Sequence, residues 1–231
     1  MARVHGDVLD DLGRRIASGD PRPGSVFTLA QIESEYGASR TVVREAVRVL
    51  ESIRMVASRR RVGITVQPRE RWDAFDPQLI RWSLDGPFRQ QQLEALMELR
   101  VSVEPMAARL AAARATAAQR AELLRLAERL QELGARGRGD SPDYLQTDLD
   151  FHGTLLEASG NPLLTALVTP VHDVLAGRAH LGLTPGTPAP GTLEQHVRTA
   201  QAIAAADADA AERHSRSHMR TVWQEIADHG T

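Results

Sequence analysis

The sequence predicts a mainly α-helical chain in two parts, with one short β-hairpin near its N-terminus. Three observations lead there. Apolar residues recur at helical spacing along most of the 231 residues. Strand-like patterning is confined to Met55–Gln67. Positive charge collects at one end: of a net charge of −2, residues 1–71 carry +4 and residues 72–231 carry −6, and residues 39–71 hold 9 Arg against 3 Glu. Such a basic surface suits phosphates. A chain of this length exceeds the usual domain of roughly 100–200 residues, so two domains are expected.

The head reads as three helices and a hairpin. Val8, Leu9, Leu12 and Ile16 keep helical spacing until Gly19, Pro21, Pro23 and Gly24 break it. Thr28 can cap a short second helix that runs to Tyr36, with Gly37 as its stop. Ser39 caps a third, helical from Arg40 to Ile53. Met55–Ser58 and Ile64–Gln67 then form two strands joined by an Arg-rich turn that ends at Gly63. Three helices followed by a hairpin make a winged helix-turn-helix, placed over residues 1–70.

Residues 71–86 form a connector, with a short helix expected over Pro77–Leu84. The body, 87–231, lacks any strand pattern. Helices are predicted near 88–113, 117–134, 142–158, 161–181, 191–205 and 207–228, separated by stretches such as GARGRGDSP and TPGTPAPGT. This is an antiparallel all-α bundle of six or seven helices. No segment repeats another at a fixed period, so a solenoid is not expected.

Composition narrows the setting. With no cysteine, disulfide scaffolds and thiolate metal sites are excluded, and a cytoplasmic location is expected. Neither a signal peptide nor an apolar run of about 18 residues is visible, so no membrane partner is expected. All 28 basic residues are Arg, so the use of arginine carries no information by itself about bidentate contacts.

On the third helix Val43, Ala46, Val47 and Leu50 share one arc, while Arg40, Arg44 and Arg48 form a row well away from it. Alone, such a row would be a solvated charged face. Following a tight turn and a capped helix, and preceding a basic hairpin, it matches a recognition helix for the major groove. The segment AQIESEYGASRTVVREAVRVLES resembles the winged helix-turn-helix of the GntR family of bacterial transcription regulators, through its Ser-Arg-Thr-x-x-Arg-Glu-Ala core. The resemblance implies DNA contacts by Arg40, Thr41 and Arg44, with Gly63 of the wing in the minor groove. Ser39 would cap the helix and touch a phosphate. Arg60, in the run Arg59–Arg61, adds attraction to phosphates. Two positions depart from the family pattern: Ala30 stands where a base-reading Arg is frequent, and Arg54 where Gly usually follows the recognition helix.

In the body, polar residues fall where a core should be. Asp148 and His152 lie within the arc of Tyr144, Leu145, Leu149, Phe151, Leu155 and Leu156, whereas Asp150 points outward. His196 lies within that of Leu193, Val197, Ala200, Ile203 and Ala204; His218 sits with Ala211, Ser215, Val222 and Ile226, and His214 outside them. A lone inward His is usually a satisfied core residue, but one Asp and three His from three helices suggest a site for Zn²⁺, Ni²⁺ or Mn²⁺. Arg100 and Glu104 also face inward, either as a mutually neutralising i,i+4 pair or as a receptor in which Arg100 takes a carboxylate ligand and Glu104 orients it. Pro105 should kink the helix beside them.

LMELRVSVEPMAARLAAARAT, DLDFHGTLLEASGN and EQHVRTAQAIAAADADAAERHSRSHM together resemble the ligand-sensing C-terminal domain of the FadR subfamily of GntR regulators. The resemblance implies that Asp148, His152, His196 and His218 bind a divalent metal and that Arg100 meets an organic acid; WDAFDPQLIRWSL is similar to the connector of members that sense sugar acids. The expectation is a homodimeric, ligand-responsive repressor of a catabolic operon, whose partners are double-stranded operator DNA and a small carboxylate effector, and whose body at 87–231 senses the ligand and dimerises. A metal-dependent enzyme with an accessory basic domain is the alternative, since three His and an Asp can also activate water.

Overall fold

The computed structural model describes residues 5–189 and 191–229, and the side chains of 7–189 and 191–224 among them. The chain divides into two compact units, Met1–Gln92 and Leu93–Thr231. The expected core position of Ile226 lies outside the described side chains.

The first unit contains α1 (His5–Ala17), β1 (Val26–Phe27), α2 (Leu29–Tyr36), α3 (Arg40–Ser52), β2 (Val56–Arg59), β3 (Gly63–Val66), a 3₁₀ turn at Arg69–Arg71 and α4 (Pro77–Leu84). Thr28 caps α2 through a reciprocal box with Gln31: the Gln31 amide donates to Thr28 Oγ1 at 3.2 Å and the Thr28 amide to Gln31 Oε1 at 2.7 Å. Gly37 leaves the helix left-handed at φ 59°. Ser39 Oγ then accepts the Val42 amide and starts α3. Val43, Ala46, Val47 and Leu50 are buried in one cluster with Val8, Leu9, Leu12 and Ile16 of α1. The sheet has order β1-β3-β2, antiparallel throughout, with Val26 opposite Thr65 and Val56 opposite Val66. The two-residue β1 is an addition to the expected hairpin.

The connector helix completes this core. Trp72, Leu79 and Trp82 are buried in the same cluster as α1 and α3. A Cβ on Gly13 would come within 2.4 Å of the Trp82 ring, so glycine is what lets the indole lie against α1. Trp82 Nε1 donates to Asp10 Oδ1 at 3.1 Å, which satisfies its one polar atom.

The second unit contains α5 (Arg89–Arg114, which begins within the first unit), α6 (Ala117–Ala135), α7 (Pro142–Ala158), α8 (Pro162–Thr165), α9 (Val168–His180), α10 (Thr192–Ala204) and α11 (Ala208–His229). Helix α10 packs on α6 and α11, α6 on α7, and α7 on α9. The helix expected over 161–181 is interrupted at Ala166–Leu167. Pro170 explains the break: without an N–H it cannot bond to the carbonyl of Ala166, yet it fits the first turn of a new helix. Arginines close several helix ends. Arg120 donates from Nη2 to Ala112 O at 2.7 Å, from Nε to Ala115 O at 3.1 Å, and from Nη1 to the carbonyl of Ile203, while Arg114 Nη1 donates to Ser159 O at 3.0 Å. These carbonyls end α5, α10 and α7, where a cation also meets the negative end of the helix dipole.

Arg54 follows α3 with φ 61°, in the left-handed region where a side chain costs about 1–2 kcal/mol. Its exposed ion pair with Asp73, at 3.9 Å, offsets little of that. Arg54→Gly should stabilise the first unit by roughly 0.5–1 kcal/mol, the relief of that strain less the extra entropy glycine loses on folding. Denaturant unfolding of the two proteins checks this, with a higher midpoint expected for the variant.

Candidate functional site

The first candidate surface lies on α3 and the hairpin. Ser39, Arg40, Thr41, Arg44 and Arg48 are all exposed, opposite the buried stripe of the same helix. They are not equally available: Arg48 Nη1 is held by the Glu45 carboxylate on its own helix, and Arg40 Nε lies 3.9 Å from Glu33. Arg60 is exposed in the turn between β2 and β3, flanked by Arg59 and Arg61. Gly63 has a structural reason to be glycine. Its φ is 115°, and a Cβ there would lie 2.9 Å from the carbonyl oxygen of Phe27, so a side chain would force β1 off β3.

The second is a polar cluster inside the helical unit. Helix α7 supplies Asp148 and His152, α10 His196, and α11 His218. The three His are buried, and one nitrogen of each lies within 4.8 Å of the others. His152 Nε2 and His196 Nε2 are 3.5 Å apart, and Asp148 Oδ1 lies 3.4 Å from both. Asp150 is exposed and accepts from Gln146 Nε2, while His214 lies outside the cluster with its Nδ1 2.9 Å from Gln195 Oε1.

These groups fit a metal ion. Ligands about 2.1 Å from one ion in a tetrahedral site stand roughly 3.4 Å apart, the spacing of the two imidazoles and the carboxylate. His218 adds a third imidazole, its ring centroid 4.0 Å from that of His196. Burial and the neighbouring cations push His218 well below its usual pKa, and burial lowers His196, so both rings are neutral and their lone pairs are available. Burial would raise the Asp148 pKa, but His152 and His196 outweigh it and hold the carboxyl ionised.

Helix α5 brings Arg100 and Glu104 to the same place, with 1% and 0% of their side chains exposed. Arg100 Nε donates to Glu104 Oε1 at 2.5 Å, and Arg100 Nη2 lies 3.2 Å from His152 Nε2. Among the described residues, Arg100 Nη1 is buried without a hydrogen-bond partner. Burial would raise the Glu104 pKa, but the Arg100 charge and the approach of the His152 ring outweigh it and bring it down to about 2. The pair is therefore an i,i+4 ion pair, and one guanidinium nitrogen has no partner among the described residues.

Arg100, Asp148, His152, His196 and His218 line one cleft. Its remaining wall mixes polar residues, among them Ser141, Tyr144, Arg178 and Thr192, with apolar ones such as Leu145, Leu175 and Val222. Arg178 was not singled out in the sequence. A signal was present: it follows the buried Val171, Val174 and Leu175 at positions i+7, i+4 and i+3, so it falls on the core stripe of α9.

A winged helix-turn-helix joined to an all-helical unit with an internal polar cleft defines a class of protein, the DNA-binding transcription regulator with its own sensor domain. Residues 5–66 match the family model described as bacterial regulatory proteins, gntR family, and residues 95–221 match the FCD domain. The chain belongs to the GntR family, in the arrangement that carries an FCD domain, and is a regulator rather than an enzyme. It is 31% identical over 216 residues to the uncharacterized HTH-type transcriptional regulator YieP of Escherichia coli strain K12, covering 93% of this chain and 91% of that one. It is also 31% identical over 210 residues to the galactonate operon transcriptional repressor of the same strain, covering 89% of each. The structure of E. coli McbR/YncC shares the fold, with a TM-score of 0.55 at 20% identity over 100% of both chains. Regulators of this family bind operator DNA and small-molecule effectors. Among the described residues, no helix is long and apolar enough to cross a membrane.

Proposed function

We propose that the chain is a cytoplasmic, homodimeric, metal-containing repressor of a catabolic operon, controlled by a small hydroxy acid of the sugar-acid class. The observation that carries the effector assignment is Arg100 Nη1, a buried cationic donor without a partner, on the wall of the cleft that holds the His cluster. Leaving such a donor unpaired costs about 1–3 kcal/mol, and a carboxylate would satisfy it. The galactonate repressor among the relatives is in keeping with a sugar acid. Glu104 offsets only part of the positive charge that Arg100 and a divalent ion would bring together, so an anion is favoured.

Asp148, His152, His196 and His218 would hold the ion, a nitrogen-rich set suited to Zn²⁺, Ni²⁺ or Mn²⁺. When bound, the ion supplies a Lewis-acidic centre for a carboxylate and its neighbouring hydroxyl. The chain's own residues do the rest: Glu104 fixes Arg100, Arg100 orients the carboxylate, and the buried walls exclude water. Ser39, Arg40, Thr41, Arg44 and Arg48 would meet one operator half-site, with Arg60 and Gly63 on the wing, and a second copy would meet the other half-site one helical turn away. The effector would act by favouring one of two arrangements that differ in how well the paired helices fit those half-sites.

Arg40→Ala and Arg44→Ala should each weaken operator binding by about 1–3 kcal/mol in a gel-shift titration while the protein stays folded, because both side chains are exposed. Arg60→Ala should weaken binding alike on all sequences and reduce the salt slope by about 1. For the ion, elemental analysis should find about one divalent metal per chain; His196→Ala or His218→Ala should abolish it, and His214→Ala and Asp150→Ala should not. Equal metal content in all four variants would remove the site.

A thermal-shift screen of aldonates and 2-hydroxy acids on metal-replete protein should identify the effector through its stabilisation of the folded state. Arg100→Met should then abolish binding of that acid in calorimetry and its effect on the operator, with operator affinity in its absence retained. Equal acid affinity in the two proteins would make Arg100 a structural ion-pair partner only.

A further inference from the structure

Glu104 has so far been considered as the partner of Arg100, but its second oxygen faces the His cluster. Oε1 accepts from Arg100 Nε, and Oε2 lies 2.7 Å from Nδ1 of His152. That contact is within hydrogen-bonding distance although not well aligned, and neither atom has any other hydrogen-bond partner. Both side chains are buried, with 0% and 1% exposed. The other two rings differ: His196 Nδ1 and His218 Nδ1 are buried without a hydrogen-bond partner. Among the described residues, His152 is the one of the three imidazoles with a carboxylate behind it.

A proton on Nδ1, directed at Glu104, leaves the lone pair of His152 on Nε2, the atom that lies 3.4 Å from Asp148 Oδ1 and 3.5 Å from His196 Nε2. The geometry points to Glu104 as the positioning residue of the whole cluster, a single carboxylate that fixes the tautomer and orientation of His152 for a metal ion and, through its other oxygen, the guanidinium of Arg100 for an anion. This rests on the metal reading above and adds to it a dependence of metal affinity on a residue that is not a ligand. A carboxylate behind a ligating His raises the basicity of the ring, and its loss typically weakens metal binding 10–100-fold.

The test uses Zn²⁺ alone, with affinity measured by competition against a chromophoric chelator. Glu104→Gln by itself would leave the Arg100 cation buried without its counter-charge, so the series is built on Arg100→Met, with Glu, Gln or Met at position 104; in the Glu member His152 and the bound Zn²⁺ supply the counter-charge that Arg100 no longer gives, and thermal unfolding checks that each protein is folded. Zn²⁺ affinity should fall in that order, 10–100-fold from Glu to Met, with Gln between because its amide oxygen still accepts the His152 N–H. Gln and Met fill nearly the same space, so a packing role would make them equal; that result, or three equal affinities, would overturn the proposal. A second measurement needs no substitution. In zinc-loaded wild-type protein, nitrogen NMR of the His152 ring should show an exchange-protected proton on Nδ1 and the metal on Nε2, and the reverse assignment would overturn the proposal. If wild-type protein takes up no zinc, the metal reading falls, and this inference falls with it. Wild-type uptake with an unchanged series removes Glu104 alone.

Discussion

An arginine and a glutamate with almost no exposure, one turn apart on α5, set the terms for the helical unit. Neither charge can be buried alone, and even together they give up water at a cost that their attraction only partly returns. An apolar pair of similar volume would serve stability as well or better. Their presence is better explained by chemistry, since they bring Arg100 into contact with His152 and leave one nitrogen of this cleft-lining guanidinium without a partner among the described residues. Around them α5 is built of small residues: Ala107, Ala108, Ala111 and Ala112 are all buried and allow close packing where the long polar side chains end.

Arginine also provides the ties between helices. In a chain without lysine, Arg120 reaches carbonyls at the ends of both α5 and α10, a task for a planar fork of donors rather than a single ammonium. Those helices carry Arg100 and His196, so the two walls of the cleft are joined at their far ends by one guanidinium.

Much of this could be read from the sequence, and the failures have identifiable causes. The connector helix, Pro77–Leu84, is found where it was expected because its signals are local: Asp76 accepts the amides of Gln78 and Leu79, and proline occupies the first turn. Polar residues on apolar arcs were equally visible, since helical periodicity needs no knowledge of the fold. Strand β1 was not, because two residues cannot show a period and their partners lie almost 40 positions away at Ile64 and Thr65. The accommodation of Trp82 by Gly13 is likewise a matter of distant surfaces meeting. For Gly63 the family resemblance implies a place in the minor groove, while the close approach of the Phe27 carbonyl gives a reason for glycine that no local pattern contains.

Pro105 sits in the interior of α5, beside Glu104, and removes the hydrogen bond that would hold the carbonyl of Val101. The helix is therefore softest next to its charged pair. A tilt of about 10° there corresponds to only ~0.4 Å of movement at the helix radius of about 2.3 Å. The arm from Glu104 back to Arg89 is roughly 23 Å long, and the same tilt carries its tip about 4 Å. Any tilt at the proline would thus be about ten times larger at the start of α5 than at the helix surface beside Glu104.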